Sequence, residues 1–311
     1  MIKNLLLILL LGPLLSFTSR GQTTTIQEQL GYAKDAKLLI IHADDLGVSH
    51  SENAASIEAM EKGLVNSASI MVPCPWFLEV ADYAKGHPEM DWGLHLTLTS
   101  EWKHYKWGPV ASRNEVPTLV DDQHFFYATQ AEVRDSSDLK QVEHELRAQI
   151  ERAIQFGVPI THLDAHMFTL WTDPALVNIY KKLGKEYKVP VLLNRQWLDR
   201  MGAGADKCLE EGDIIVDQLY MALSSDHPDG LKGFYTETLN QLAPGFNVLL
   251  IHTAHDNAEM QAVTIEREDF GAAWRETDFN FFSSQECRDL LKANNIQLVT
   301  WKEVKEQLIQ K

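Results

Sequence analysis

Cysteine is scarce in this chain and falls in no pattern. Cys74, Cys208 and Cys287 are the three present among 311 residues, an odd number and far apart. That excludes a disulfide framework, and the missing CxxC spacing excludes a cysteine-bound structural zinc. One pair could close in an oxidising compartment, and the sequence does not say which. Basic residues are also in short supply: 28 Lys and Arg face 44 Asp and Glu, a net charge of -16. So acidic a chain repels phosphate backbones, which argues against a nucleic-acid partner. Internal repeats, low-complexity linkers and domain boundaries are missing too. What remains is 45% hydrophobic, a globular composition long enough for one large domain with its own core.

The first residues read as a targeting segment. Lys3 supplies a positive start, Leu5 to Phe17 is almost wholly apolar, and Ser19-Arg20-Gly21 offers small residues to a signal peptidase. This apolar run is short for a bilayer span. Cleavage is expected near Gly21/Gln22, giving an exported protein, periplasmic or secreted, with no stable membrane insertion afterwards. The alternative is an uncleaved anchor helix. Residues 1–21 are thus a signal peptide, 22–36 a mobile polar lead-in, and 37–311 a single domain.

Within that domain, strand-like and helix-like stretches alternate. Leu38-Leu-Ile-Ile-His42 reads as a strand buried on both faces, running into Ala43-Asp44-Asp45-Leu46-Gly47. Side chains alternate along a strand, so Asp44 and Asp45 are expected to point in different directions. Ser49 with Glu52 forms a capping-box pattern for a helix ended by Gly63. Further strands are expected at 68–72, 92–99, 160–166, 189–193, 247–252 and 296–300. Helices are expected at 76–85, from 139 to about 154, at 174–183, and after a cap at Ser283. Residues 101–137 have no clean period and hold Trp102, Tyr105 and Trp107. An aperiodic excursion of that length is usually functional, for example a lid. Its aromatic residues could stack on sugar rings or serve as core.

Alternating strands and helices imply parallel strands with helical crossovers, an α/β fold, and at this length a single α/β barrel is ordinary. In such a barrel chemistry sits at the C-terminal strand ends. Asp44, Asp45, His95, His166 and His252 all fall there. Each has a plainer reading. His95 could be a satisfied core histidine, His252 a loop residue, and His42 a packing residue. Only one of His162 and His166 need face a site. Taken jointly, two imidazoles and a carboxylate suit a borderline divalent ion that leaves positions open for water and substrate. A second carboxylate can accept a proton from that water, and a further histidine can protonate a leaving group. Such a set hydrolyses amides or esters.

The motifs Ala43-Asp44-Asp45-Leu46-Gly47, Gly93-Leu94-His95-Leu96 and Thr161-His162-Leu163-Asp164-Ala165-His166, in this order and spacing, resemble the YdjC-like carbohydrate deacetylases. That family includes the chitooligosaccharide and hopanoid-type deacetylases. The likeness covers roughly residues 37 to 305. It implies a distorted (β/α) barrel related to polysaccharide deacetylases. It also implies metal ligands at Asp45, His95 and His166, a catalytic base at Asp44, and a candidate acid at His252. The implied reaction removes acetyl from an N- or O-acetylated oligosaccharide. One divalent ion is expected: zinc suits the donor set, and magnesium is also associated with the family. The chain departs from the family pattern at Met167-Phe168-Thr169-Leu170-Trp171 and at His252-Thr253-Ala254. For the family's arginine near a strand end, Asn194-Arg195 is an approximate match. The alternatives are an esterase or amidase acting on a non-sugar substrate, and a carbohydrate-binding barrel without turnover.

Overall fold

The computed structural model describes residues 24–62, 64–224 and 227–310. The expected signal peptide and the helix-ending Gly63 lie outside the described residues. Among the described residues no helix is long and apolar enough to cross a membrane.

All strand pairs are parallel. The strands are β1 (Lys37–Leu46), β2 (Ser67–Ile70), β3 (Trp92–Leu96), β4 (Ile160–Ala165), β5 (Gln218–Tyr220), β6 (Gly245–Ile251) and β7 (Ile296–Leu298). They form one sheet in the order β4-β3-β2-β1-β6-β5, with β7 beside β1. The unbroken apolar run of β1 sits at its centre, and Leu38, Leu39, Ile40 and Ile41 are fully buried. One edge of β1 pairs with β6 from Lys37 to Ala43. The other edge pairs first with β7 and then with β2. Asn66 fills the junction between these two partners. Its side chain accepts from the Ile41 N–H at 2.8 Å and donates to the Val299 carbonyl at 2.6 Å, so no β1 backbone group is stranded there.

Closure between β4 and β5 is irregular. The expected strand at 189–193 makes only a single bridge, Val191 to Leu163, and the Val216 N–H then reaches the Leu193 carbonyl at 2.8 Å. Pro190 has no N–H to donate, which weakens any ladder in this segment. The result is a distorted (β/α) barrel rather than a regular one.

Other expectations shift in instructive ways. Residues 24–36, expected to be a mobile lead-in, instead open with the helical turn Ile26–Gln29, held by a Thr25/Glu28 capping box, and Leu30 packs into the core. Ser49 caps the helix His50–Glu61 as expected, but the Glu52 carboxylate does not return to complete a capping box; it is drawn to Arg275. The cap expected at Ser283 is made one residue later, by Ser284. The cysteines are free and buried. Within residues 101–137, Trp102, Trp107 and Phe126 are buried in the core. Trp102 and Trp107 are buried against each other, Trp107 Nε1–H donates to the Thr99 carbonyl, and Tyr105 O–H donates to the Val48 carbonyl. Trp102 and Trp107 are core, not a sugar platform, and Tyr105 is half-buried against them.

Candidate functional site

Strand alternation stacks the interior side chains in layers, and these layers build the site. On β4, His162 and Asp164 share the inner face, and His166 follows directly at the strand's end; on β1, His42 lies below Asp44; on β3, Gly93 lies below His95. The lowest layer is held by His162, whose ring stacks on Trp301 at 5.4 Å and meets His42 edge-on at 5.0 Å. A Cβ on Gly93 would lie 2.2 Å from His162 Nε2, so only glycine leaves room for that ring.

By simple alternation Asp45 should face away from Asp44. It does not, because its backbone is left-handed (φ 69°) and the β1–β2 register slips between Ala43 and Leu46. Aspartate tolerates this conformation better than most residues. The twist returns the second carboxylate to the interior, so both aspartates line one cavity.

That cavity, about 290 Å³, opens at the C-terminal strand ends. Its floor holds Asp44, Asp45, His95, Glu101, His166 and His252, and Arg275 lines it too. The structure therefore brings all five sequence-predicted site residues together. Asp45 Oδ1 lies 3.5 Å from His95 Nε2 and 3.2 Å from His166 Nδ1. A tetrahedral ion with bonds of about 2.0–2.1 Å sets neighbouring donors roughly 3.3 Å apart. Asp45 Oδ1 is buried yet makes no well-aligned hydrogen bond. An orphaned carboxylate oxygen facing two imidazole nitrogens fits a divalent cation.

Each imidazole is held by a carboxylate on its other nitrogen. His95 Nδ1 meets Asp164 Oδ1 at 2.9 Å, and His166 Nε2 meets Glu101 Oε2 at 3.1 Å. This arrangement fixes ring orientation and raises ligand basicity. Asp164 is in turn held by Ser69 and by His42 Nε2, both at 2.9 Å. Across the cavity, His252 Nε2 stands 3.9 Å from Asp44 Oδ2.

Electrostatics follow from this crowding. Burial would raise the Asp45 carboxyl, but the Arg275 guanidinium and the His166 ring hold it well below the usual carboxylate range. Burial disfavours charge on His166, yet Glu101 and Asp45 carry it up to about 10. His42 likewise rises to about 10, as Asp164 and Asp44 outweigh its burial. His252 is pushed down to about 4, because burial, helped by Arg275, outweighs the pull of Asp45 and Asp44. A floor that collects carboxylates calls for positive charge, which a divalent cation supplies while leaving both rings free as ligands.

Three contributors were not singled out from the sequence. Arg275, from the helix Ala272–Phe282, donates from Nη2 to Asp45 Oδ2 at 2.8 Å and from Nη1 to Glu52 Oε2 at 2.7 Å. Arg195, the approximate match for a family arginine, is instead exposed and pairs with Asp206. Glu101 arrives from the aperiodic excursion, where no pattern marks it. Asp164 carried a signal in its parity with His162 and His166.

A parallel α/β barrel with an Asp-His-His donor set at its strand ends defines the class. Within it, the chain belongs to the YdjC-like family, whose model matches residues 38–293. It is 37% identical over 267 residues to a carbohydrate deacetylase of Brevibacillus brevis, covering 86% of this chain and 99% of that protein. To a carbohydrate deacetylase of Thermus thermophilus it is 31% identical over 288 residues, covering 90% and 98%. Among solved structures, one from Enterococcus faecalis V583, described as a candidate cellobiose-phosphate cleavage protein, shares the fold. Its TM-score is 0.70 at 22% identity, covering 86% of this chain and 99% of that one.

Proposed function

We propose that this protein is an exported, metal-dependent deacetylase of an N- or O-acetylated saccharide. The observation that carries the reading is the convergence of Asp45, His95 and His166 at donor spacings suited to one ion, beside the second carboxylate, Asp44, in the same cavity. The carbohydrate deacetylases it resembles over nearly their whole length support the substrate class. Export rests on the composition of residues 1–21.

Asp45, His95 and His166 would hold the ion, and two imidazoles with one carboxylate favour zinc over magnesium, which prefers oxygen ligands. When bound, it supplies Lewis acidity at the acetyl carbonyl and makes water a better nucleophile at neutral pH. Asp44 would take the proton from the attacking water, and His252, neutral at rest and 3.9 Å from Asp44, would relay that proton to the departing amine or alcohol as the acid. Trp197 and Phe270 on the cavity wall offer apolar faces to a sugar ring.

The test is acetate release from N-acetylated chitooligosaccharides and O-acetylated xylo-oligosaccharides, with zinc or magnesium added to metal-free protein. Metal-dependent release from one of them, abolished in Asp44→Asn, is expected. Release only from non-sugar acetyl esters or amides would overturn the saccharide reading. Binding of oligosaccharide without any release would overturn the catalytic one.

A further inference from the structure

We propose that His42 is a positioning residue. Its one buried ring ties the candidate base Asp44 to Asp164, the carboxylate that orients His95, so both halves of the site are set from behind. The proposal rests on the assignment of the site above.

His42 is 1% exposed and does not line the cavity, so it touches no substrate. Both of its ring nitrogens nevertheless meet polar atoms of the site's supporting layer. Nδ1 lies 2.8 Å from Ser67 Oγ. Nε2 lies 2.9 Å from Asp164 Oδ2, 3.0 Å from Asp44 Oδ1 and 3.1 Å from Ser69 Oγ. A ring present only to fill space would be met by apolar neighbours. Here a single nitrogen meets carboxylates from two different strands, β1 and β4.

Two carboxylates from different strands reach the same nitrogen, so this one ring sets their separation. Arg275 does not serve here, because its Nη1 and Nη2 are engaged by Glu52 and Asp45. The alignment differs at the two partners of His42. With Asp164 the contact is a hydrogen bond, whereas Asp44 Oδ1 lies close without hydrogen-bond alignment. The tie to Asp164 therefore needs a donor, and the tie to Asp44 needs the ring itself in place. From Asp164 the connection continues to His95 Nδ1 and so to the nitrogen that faces Asp45. The ring is backed by His162, which meets it edge-on and is itself stacked on Trp301.

Two variants separate the two ties. His42→Ala removes donor and ring; His42→Gln restores a donor of similar reach without the ring. The first readout is zinc affinity of demetallated protein, by competition with a chromophoric chelator. The second is kcat and KM at saturating zinc on the acetylated saccharide the wild type hydrolyses. Urea unfolding of each variant runs in parallel. His42→Ala is expected to weaken zinc binding about 10–100-fold and to lower kcat by a similar factor, with KM unchanged. His42→Gln is expected to recover most of the zinc affinity while kcat stays low. The proposal is overturned if both variants bind zinc and turn over like the wild type. It is equally overturned if His42→Gln restores kcat fully, or if the losses appear only as lowered folding stability. Should His42→Ala fail to fold, His42→Gln decides alone. Should the wild type hydrolyse nothing, the deacetylase reading fails, and the zinc measurement still decides the tie through Asp164 to His95.

Discussion

Gly93→Ala should unsettle the barrel far more than a single methyl group suggests. The new Cβ would lie 2.2, 2.4 and 2.7 Å from three ring atoms of His162. Those distances are inside any tolerated contact, so the ring or the strand must move. The ring is fully buried, stacked on Trp301 at 5.4 Å and set against His42 at 5.0 Å, and has nowhere to go. Overpacking of a core costs typically 1–3 kcal/mol. With both rigid partners in place the upper end applies, about 3 kcal/mol, or a fall in Tm of roughly 6–12 °C for a domain of this size. Urea unfolding should show a lower midpoint with an unchanged slope. The double variant Gly93→Ala/His162→Ala should be less destabilised than the sum of its parts by more than about 1 kcal/mol, because the second change removes what the first collides with. A single variant within about 0.5 kcal/mol of wild type, or strict additivity in the pair, would refute this account of the glycine.

Arg275→Met should cost about 3–5 kcal/mol in urea unfolding, since it leaves the Asp45 and Glu52 carboxylates buried without their cation. Glu52→Gln should cost less, because burial already pushes the Glu52 carboxyl up to about 8. His162 should make folding sensitive to acid. Burial holds its ring well below the ordinary value of 6.5, so below that pH the unfolded chain binds a proton that the folded chain refuses. Stability is then lost as pH falls, by up to about 1.4 kcal/mol per pH unit for this one group, and His162→Asn should flatten that slope in unfolding series between pH 5 and 7. Glu101→Ala, which frees the outer nitrogen of His166, should weaken zinc binding about 10–100-fold in a chelator competition.

The sequence was most readable where side-chain parity and strand burial act together. Apolar runs ending in Asp or His marked β1, β3, β4 and β6, and the strand-end rule then gathered Asp44, His95, His166 and His252 at one end of the barrel. Parity failed at Asp45, because one left-handed residue reverses the facing of its side chain, and nothing in the local composition announces that turn. Arg275 and Glu101 were invisible for another reason. They reach the site from a helix and a loop with no periodic relation to it, and a contact between residues 230 positions apart leaves no local trace. The segment at 189–193 looked like a strand by hydrophobicity alone, but packing beside β4 gives it one bridge and no ladder. Glu52 kept half of its expected capping role because a buried guanidinium offers its carboxylate more than a backbone N–H does.

The most direct test of the central claim is equilibrium zinc binding to demetallated protein, read as ions bound per chain and as affinity. It should be run on the wild type, on Asp45→Ala, His95→Ala and His166→Ala, and on Asp44→Asn. One ion per wild-type chain, lost or greatly weakened in the first three variants and retained in Asp44→Asn, is the predicted result. Retention of the ion in any of those three variants, or its loss in Asp44→Asn alone, would contradict the division of the two adjacent aspartates into ligand and base.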